Sequence, residues 1–425
     1  MQAISIGIDA RAAAEVPAGR GRVVRELLRA LAARDDGPVV STNGRDGGGV
    51  AHRYVLYARE AWAEDELDER FQWRLLDAKD PWWHVQAARA ANGECDVFLS
   101  SNSYLTSRFL RIASVAIVHD LTTFEPAMQA KRTSRAIERL TLGMAVRRSA
   151  KLLAVSQATA EALIGRFPGA ASRTVVAPLG VATSLVEAAD GAAVAGHGVD
   201  GASAAGHGGD GVAAAGRGCQ LDPAEAASLP TPGFVLAVGT LEPRKNLPRL
   251  VEAYAAMPQE LQRNHPLVVV GALGWETNGT LRALESLGER CTMLGYVSDA
   301  ALAELYRRCA VFCYPSLGEG FGLPVLEAMA AGAVVLTSDI SSLPEVGGDA
   351  VAYANPMEVP AISGQLQRLL RDDALREELS SRARARAEEF SWESFAETVL
   401  AVLEEAAGVS EGAVHSASRS SVAKV

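Results

Sequence analysis

The stretch SLGEGFGLPVLEAMAAG, Ser316 to Gly332, sets three alternating glycines (Gly318, Gly320, Gly322) around Glu319 and Phe321, then adds Pro324 and a second carboxylate, Glu327. The run before it, VFCYPS, has the apolar, strand-forming character of a buried β-strand. Pro324 suits the first position of a helix, where a missing N–H costs nothing, and Gly332 suits its close. The segment therefore reads as strand, glycine loop, helix, with Glu319 in the loop and Glu327 in the first helical turn. In open α/β sheets, ligands bind beside such loops, at the carboxyl ends of the strands.

The chemistry follows from the residue types. Glycines let the backbone approach a ligand closely and turn its N–H groups toward it. Two carboxylates accept hydrogen bonds from vicinal hydroxyls, which suits a ribose and a sugar ring. A phosphate between them needs cations, and VGTLEPRKNL supplies Arg244 and Lys245 after another apparent strand end. Each piece alone has an ordinary reading: a glycine-rich turn, a Glu complementing a helix dipole, a solvated Arg–Lys pair. Their occurrence together, all at strand ends of one domain, points to a ligand site.

Working outward, short apolar runs alternate with amphipathic helical runs. AISIGI, RYVLYA, DVFLSS, SVAIVHD, KLLAVS and RTVVAPLG read as strands in the first half; FVLAVGT, PLVVVGAL, CTMLGYV, VFCYPS and AVVLTSD do so in the second. Between the first of them, Val23, Val24, Leu27, Leu28 and Leu31 fall on one helical face. Nearly continuous apolar strands separated by helices imply parallel sheets covered on both faces. Two such halves imply two Rossmann-like, doubly wound domains, expected at 1–185 and 231–390. The linker 186–230 holds a Gly/Ala-rich ten-residue unit repeated three times over 191–220, expected to be disordered. Its His197 and His207 are in register, but Arg217 breaks the pattern, so no metal site is read there. A helix at 391–407 is expected to pack back on the N-terminal domain, followed by a disordered tail at 408–425.

The 425 residues carry a net charge of −10, which argues against nucleic-acid binding, since phosphates require clustered Lys and Arg. The five cysteines (Cys95, Cys219, Cys291, Cys309, Cys313) are scattered and contain no C-x-x-C, so neither a zinc site nor a disulfide framework is indicated. The opening MQAISIGIDA lacks the basic start and long apolar core of a signal peptide, and no run approaches the ~20 apolar residues of a membrane span. A soluble cytoplasmic protein is expected.

EPRKN followed by PSLGEGFGLPVLEAMAAG resembles the retaining glycosyltransferase family 4 of the GT-B fold, whose E-x7-E motif Glu319 and Glu327 match. IDARAAAEVPAGRGRVVRELL, VHDLTTFEP, KLLAVSQATAEAL and VVAPLGV extend the resemblance over nearly the whole chain outside the repeat and tail. Within the family, the likeness points to bacterial mannosyltransferases that build lipopolysaccharide O-chains. The resemblance implies two domains facing a cleft, a nucleotide-sugar donor, a lipid-linked saccharide acceptor, and no metal or other cofactor; the absence of any D-x-D pair agrees with the last point.

By the same resemblance, Arg244 and Lys245 hold the donor diphosphate, and Gly239 and Thr240 belong to the same donor loop. Glu319 binds sugar hydroxyls, with backbone N–H groups of Gly320, Phe321, Gly322 and Leu323 beside it, and Glu327 grips the ribose. His119 faces the donor sugar from the first domain, with Gly19 and Gly21 near the diphosphate. Tyr296 and Val297, in GYVSDAAL, line the base pocket. Retention without a protein nucleophile is implied, a leaving-group phosphate oxygen acting as the base.

Three departures stand out. Ala333 replaces the family's proline after the motif helix, Arg20 and Val23 replace an isoleucine and a tyrosine of the subgroup's glycine loop, and the repeat has no counterpart. Asp120 reads either as a partner of His119 or as the cap of the next turn. The segment Lys131 to Lys151 reads as one helix with seven basic residues against Glu138 alone, suited to anionic headgroups or to an ordinary basic surface. DPWWHVQAA suits core packing or an acceptor groove. Two other readings share the fold: a nucleotide-sugar 2-epimerase, and a catalytically silent nucleotide-sugar-binding partner.

Overall fold

The computed structural model describes residues 3–16, 19–34, 51–62, 67–124, 132–182, 221–274 and 277–408. The repeat at 191–220, His197, His207, Cys219 and the tail beyond 408 lie outside the described residues. The chain forms two compact units. One holds the described residues up to Phe124, those from 132 to Leu179 and those from Trp392; the other runs from Gly180 to Ser391.

The first unit is built on seven parallel strands: β1 (Ser5–Asp9), β2 (Arg53–Ala58), β3 (Phe71–Leu75), β4 (Val97–Ser100), β5 (Ala113–Val118), β6 (Lys151–Ala154) and β7 (Thr174–Val176), in the order β3-β2-β1-β4-β5-β6-β7. The second has six: β8 (Val235–Val238), β9 (Leu267–Val270), β10 (Cys291–Gly295), β11 (Val311–Tyr314), β12 (Val335–Ser338) and β13 (Ala352–Ala354), in the order β10-β9-β8-β11-β12-β13. Every strand pairing in both sheets is parallel. The central strands β4, β9, β11 and β12 are buried at every residue and mostly apolar, with Ser100, Thr337 and Ser338 as the buried polar positions among them.

Two edge strands, β3 and β13, escape the sequence reading: β3 carries no long apolar run, and β13 is short. In β3 only Phe71 is fully buried, and β13 has three residues. The segment read as one helix from Lys131 to Lys151 is a helix at Arg132–Arg148, with Lys151 already opening β6, where its ammonium meets Glu405 at 2.5 Å. Of the tryptophan pair, Trp83 is buried under the Arg11 guanidinium, 3.7 Å from the ring centroid, whereas Trp82 is exposed.

The last helix, Trp392–Ala406, belongs to the first unit. It buries Trp392, Phe395, Val399 and Leu403, and Glu404 meets His52 Nε2 at 3.1 Å. The motif helix spans Leu323–Ala330, and Gly332, at φ +77°, closes it as a Schellman turn: Gly332 N–H donates to Met329 O and Ala333 N–H to Ala328 O, both at 2.9 Å. Because Leu323 rather than Pro324 is its first residue, Glu327 is the fifth helical residue. It lies beyond the first turn, where the sequence reading had put it.

Candidate active site

β8 and β11 are neighbours at the point where the second sheet's strand order reverses, so their carboxyl ends flank the crevice in which such sheets hold ligands. The loop after β8 carries Gly239, Thr240, Arg244 and Lys245; the loop after β11 carries Glu319 to Gly322. The two are stitched together. Leu317 N–H donates to Arg244 O at 2.8 Å, and Ser316 Oγ reaches the same carbonyl at 3.1 Å. Asn246, left-handed at φ +59° and 2 % exposed, donates its amide to Pro315 O (3.0 Å) and Pro356 O (2.7 Å).

This stitching brings Arg244, Lys245 and Glu319 into one cluster. Glu319 Oε1 receives Lys245 Nζ at 2.8 Å, Tyr314 Oη at 2.8 Å and Ser316 Oγ at 2.7 Å. Its Oε2 pairs with Arg244 Nη1, which also donates to Gly318 O at 3.0 Å. Glu242 Oε1 takes the other edge of the Arg244 guanidinium, at 3.0 and 2.6 Å. Lys245 Nζ also donates to Tyr314 Oη. Burial by itself raises the Glu319 carboxyl, but Arg244 and Lys245, with the Lys245 and Ser316 hydrogen bonds, hold it far below the usual carboxylate range. Burial lowers Lys245, Arg244 adds to that, and Glu319 opposes it.

The loop after β12 clamps the backbone of the glycine loop. Ser341 Oγ donates to Glu319 O at 2.6 Å, and Ser342 Oγ donates to Glu319 O at 3.0 Å and Phe321 O at 2.8 Å. Of the three loop glycines, only Gly322 has a positive φ, +107°, and a Cβ there would stand 2.8 Å from Leu343 Cδ2. Phe321 is buried edge-on against Phe390, so its side chain belongs to the core and only its backbone borders the loop. Glu327, 4 % exposed, receives Tyr306 Oη at 3.4 Å. Tyr296 and Val297 follow β10, two strands from β8, which at about 4.8 Å per strand places them about 10 Å along the same carboxyl edge. Tyr296 is exposed.

His119, Gly19 and Gly21 belong to the first unit. His119 follows β5 directly, and its Nε2 donates to Ser101 O at 2.6 Å, which leaves Nδ1 as the acceptor nitrogen of the neutral ring. Burial, with Arg20's charge adding to it, pushes this imidazole down to about 4. Asp120 Oδ1 receives Thr122 N–H at 3.0 Å and Thr122 Oγ1 at 2.5 Å, so it caps the following turn. Gly19 precedes the helix Arg20–Ala32, and a Cβ on Gly21 would collide with Val16 O at 1.8 Å. Arg20, the departure from the subgroup pattern, pairs with Glu138 at 2.9 Å.

Two Rossmann-like units of this kind, each an all-parallel sheet of six or seven strands, make the GT-B fold. Residues 17–185 match the family model Glycosyltransferase Family 4, and residues 221–386 match Glycosyl transferases group 1. The chain belongs to this group 1/family 4 of glycosyltransferases. It is 45% identical over 168 residues to O-antigen chain mannosyltransferase B of Escherichia coli, covering 38% of this chain and 43% of that protein. It is 33% identical over 175 residues to the phosphatidyl-myo-inositol mannosyltransferase of Mycobacterium tuberculosis, covering 39% and 45%. The chain thus spans less than half the length of these curated relatives in the matched segments. Sucrose-phosphate synthase of Thermosynechococcus elongatus shares the fold with a TM-score of 0.69, over 96% of this chain and 100% of that one, at 19% identity.

Sequence reasoning missed Tyr314, Ser316, Ser341, Ser342 and Asn246. Only Asn246 left a signal, as the residue that follows the basic pair and tolerates a left-handed backbone.

Proposed function

We propose that the protein is a retaining mannosyltransferase, moving mannose from guanosine diphosphate mannose to a lipid-linked saccharide in cell-surface polysaccharide synthesis. The observation that carries this reading is the buried Arg244–Lys245–Glu319 cluster at the β8/β11 crevice. As the bond to the anomeric carbon breaks, negative charge gathers on the departing diphosphate. Fixed cations aimed at that charge lower the barrier, typically by ~2.7–4 kcal/mol per group. Arg244 and Lys245 are those cations, and Glu319, flanked by the N–H groups of Gly320 to Leu323, takes the sugar hydroxyls.

The nucleoside extends along the carboxyl edge, from Gly239 and Thr240 toward Tyr296 and Val297, with Glu327 on its ribose. In the first unit, neutral His119 offers Nδ1 to a sugar hydroxyl, and Gly19 and Gly21 border the diphosphate. Retention uses a phosphate oxygen of the leaving group as base, so Glu319 is not a nucleophile. Mannose and the O-chain pathway rest on the matched mannosyltransferases.

The lipid side of the acceptor draws support from the helix Arg132–Arg148. Ile137 and Leu140 stand exposed on it, Arg147 and Arg148 are exposed at its end, and anionic headgroups complement that mixture. Among the described residues no helix is long and apolar enough to cross a membrane.

A donor screen tests the reading: thermal stabilisation and nucleoside diphosphate release across common nucleotide sugars. Release with guanosine diphosphate mannose above the others is expected. An isomerised sugar from donor alone would instead identify an epimerase, and binding without turnover a silent partner.

A further inference from the structure

Strand β11 ends in a tyrosine whose hydroxyl enters the ion cluster. Tyr314 is 2 % exposed and its ring stacks on Phe312, with centroids 5.7 Å apart and planes 29° apart. Its backbone pairs with Thr337 of β12, whose Oγ1 donates to Tyr314 O at 3.0 Å. The phenol is therefore held by strand, ring and side-chain contacts within the protein itself.

A phenolic hydroxyl has one proton to give and lone pairs to accept with. Tyr314 Oη uses both: it donates to Glu319 Oε1 at 2.8 Å and accepts from Lys245 Nζ, the ammonium also lying 4.8 Å from the ring centroid. Glu319 Oε1 has three donors, Lys245, Tyr314 and Ser316. A diphosphate that takes Arg244 and Lys245 draws both cations from the carboxylate, and the two neutral hydroxyls are then what keeps it in place. For Lys245, the facing groups are Glu319, Arg244, Glu242 and Tyr314, and Tyr314 is the uncharged one.

We propose that Tyr314 is a positioning residue for sugar transfer: its hydroxyl holds Glu319 toward the sugar and Lys245 toward the diphosphate while their mutual ion pair is exchanged for the donor. This rests on the donor reading given above. The Phe312 stack and strand pairing do not need the hydroxyl, so Tyr314→Phe removes the link and keeps the packing. A buried ammonium that loses an acceptor gives up its proton more readily. The neutral form of Lys245 then appears at lower pH.

Two measurements decide it. In the ligand-free protein, trace acetylation of Lys245 followed by mass spectrometry against pH should show its titration lowered in Tyr314→Phe by roughly one pH unit, the scale of one hydrogen bond to a charged group. In steady state with the donor found by the screen, kcat should fall about tenfold to hundredfold, as for a misplaced reacting group, with donor KM within about threefold of wild type. The alkaline limb of the rate profile should move down with the lysine. Either an unmoved Lys245 titration or an unchanged kcat overturns the proposal. If the wild type turns over no nucleotide sugar, the donor reading fails, while the titration still decides whether Tyr314 governs Lys245.

Discussion

Glu319 Oε1 and Lys245 Nζ lie 2.8 Å apart although 74 residues separate them in the chain. Neighbouring strands β8 and β11 bring them together, and burial keeps them paired: each is 10 % exposed, and an unpaired charge there would be costly. The carboxylate thus engages both Arg244 and Lys245, and on the proposed donor reading a diphosphate competes with it for these two cations.

That competition predicts opposite effects on binding and transfer in Glu319→Gln. The amide keeps the shape and removes the competing charge, so inorganic pyrophosphate or a nucleoside diphosphate should bind about tenfold tighter by calorimetry. Sugar transfer should drop about a hundredfold or more, the sugar hydroxyls having lost their charged acceptor. Weaker diphosphate binding in the variant would sink the idea of displacement.

Lys245→Ala and Glu327→Ala should separate turnover from binding. Loss of the ammonium removes a group aimed at developing charge, and kcat should fall about 10²–10³-fold. Glu327 lies off the ion cluster, against Tyr306, and its loss should raise the nucleotide Kd by roughly tenfold with a smaller effect on kcat. Wild-type kinetics in both variants would contradict the site assignment.

Asn246 joins the two loops, and its substitution should be felt as stability. Asn246→Leu forfeits two amide hydrogen bonds to buried carbonyls and places a bulky residue at φ +59°, at a cost of about 3 kcal/mol in denaturant unfolding. Asn246→Gly loses the bonds but accepts the backbone, so it should cost less. A larger loss for glycine than for leucine would show that the left-handed backbone is not the constraint.

The buried histidines predict an acid-side loss of stability. Burial, with the charges of Arg20 and Arg11 respectively adding to it, pushes His119 and His84 down to about 4, from an ordinary 6.5. Below pH 6.5 the unfolded chain binds protons that the folded chain refuses, so stability falls as pH drops from 6.5 toward 4. Each group contributes up to about 3 kcal/mol over that window. Unfolding midpoints measured from pH 7.5 to 4.5 should decline, and His119→Asn should make the decline shallower. An equal slope in the variant would remove His119 from the account.

What the amino-acid order determined by itself was local and periodic. Strands buried on both faces are mostly apolar along their length, which is why VFCY and LVVV announce a parallel sheet. The strand–glycine loop–helix segment around Glu319, and Gly332 as its helix terminator, are equally legible because a backbone turn imposes them. The edge strand β3 was not legible, since FQWRL has no apolar run, β13 was missed because it has only three residues, and the helix start was misjudged by one residue because Pro324 is tolerated at its second position. Only the tertiary structure decided who partners whom. Arg244, Lys245, Tyr314, Ser316 and Glu319 converge because β8 lies beside β11, a neighbourhood that sequence distance hides. Once water is excluded from that crevice, charges that either loop alone would leave solvated must satisfy one another.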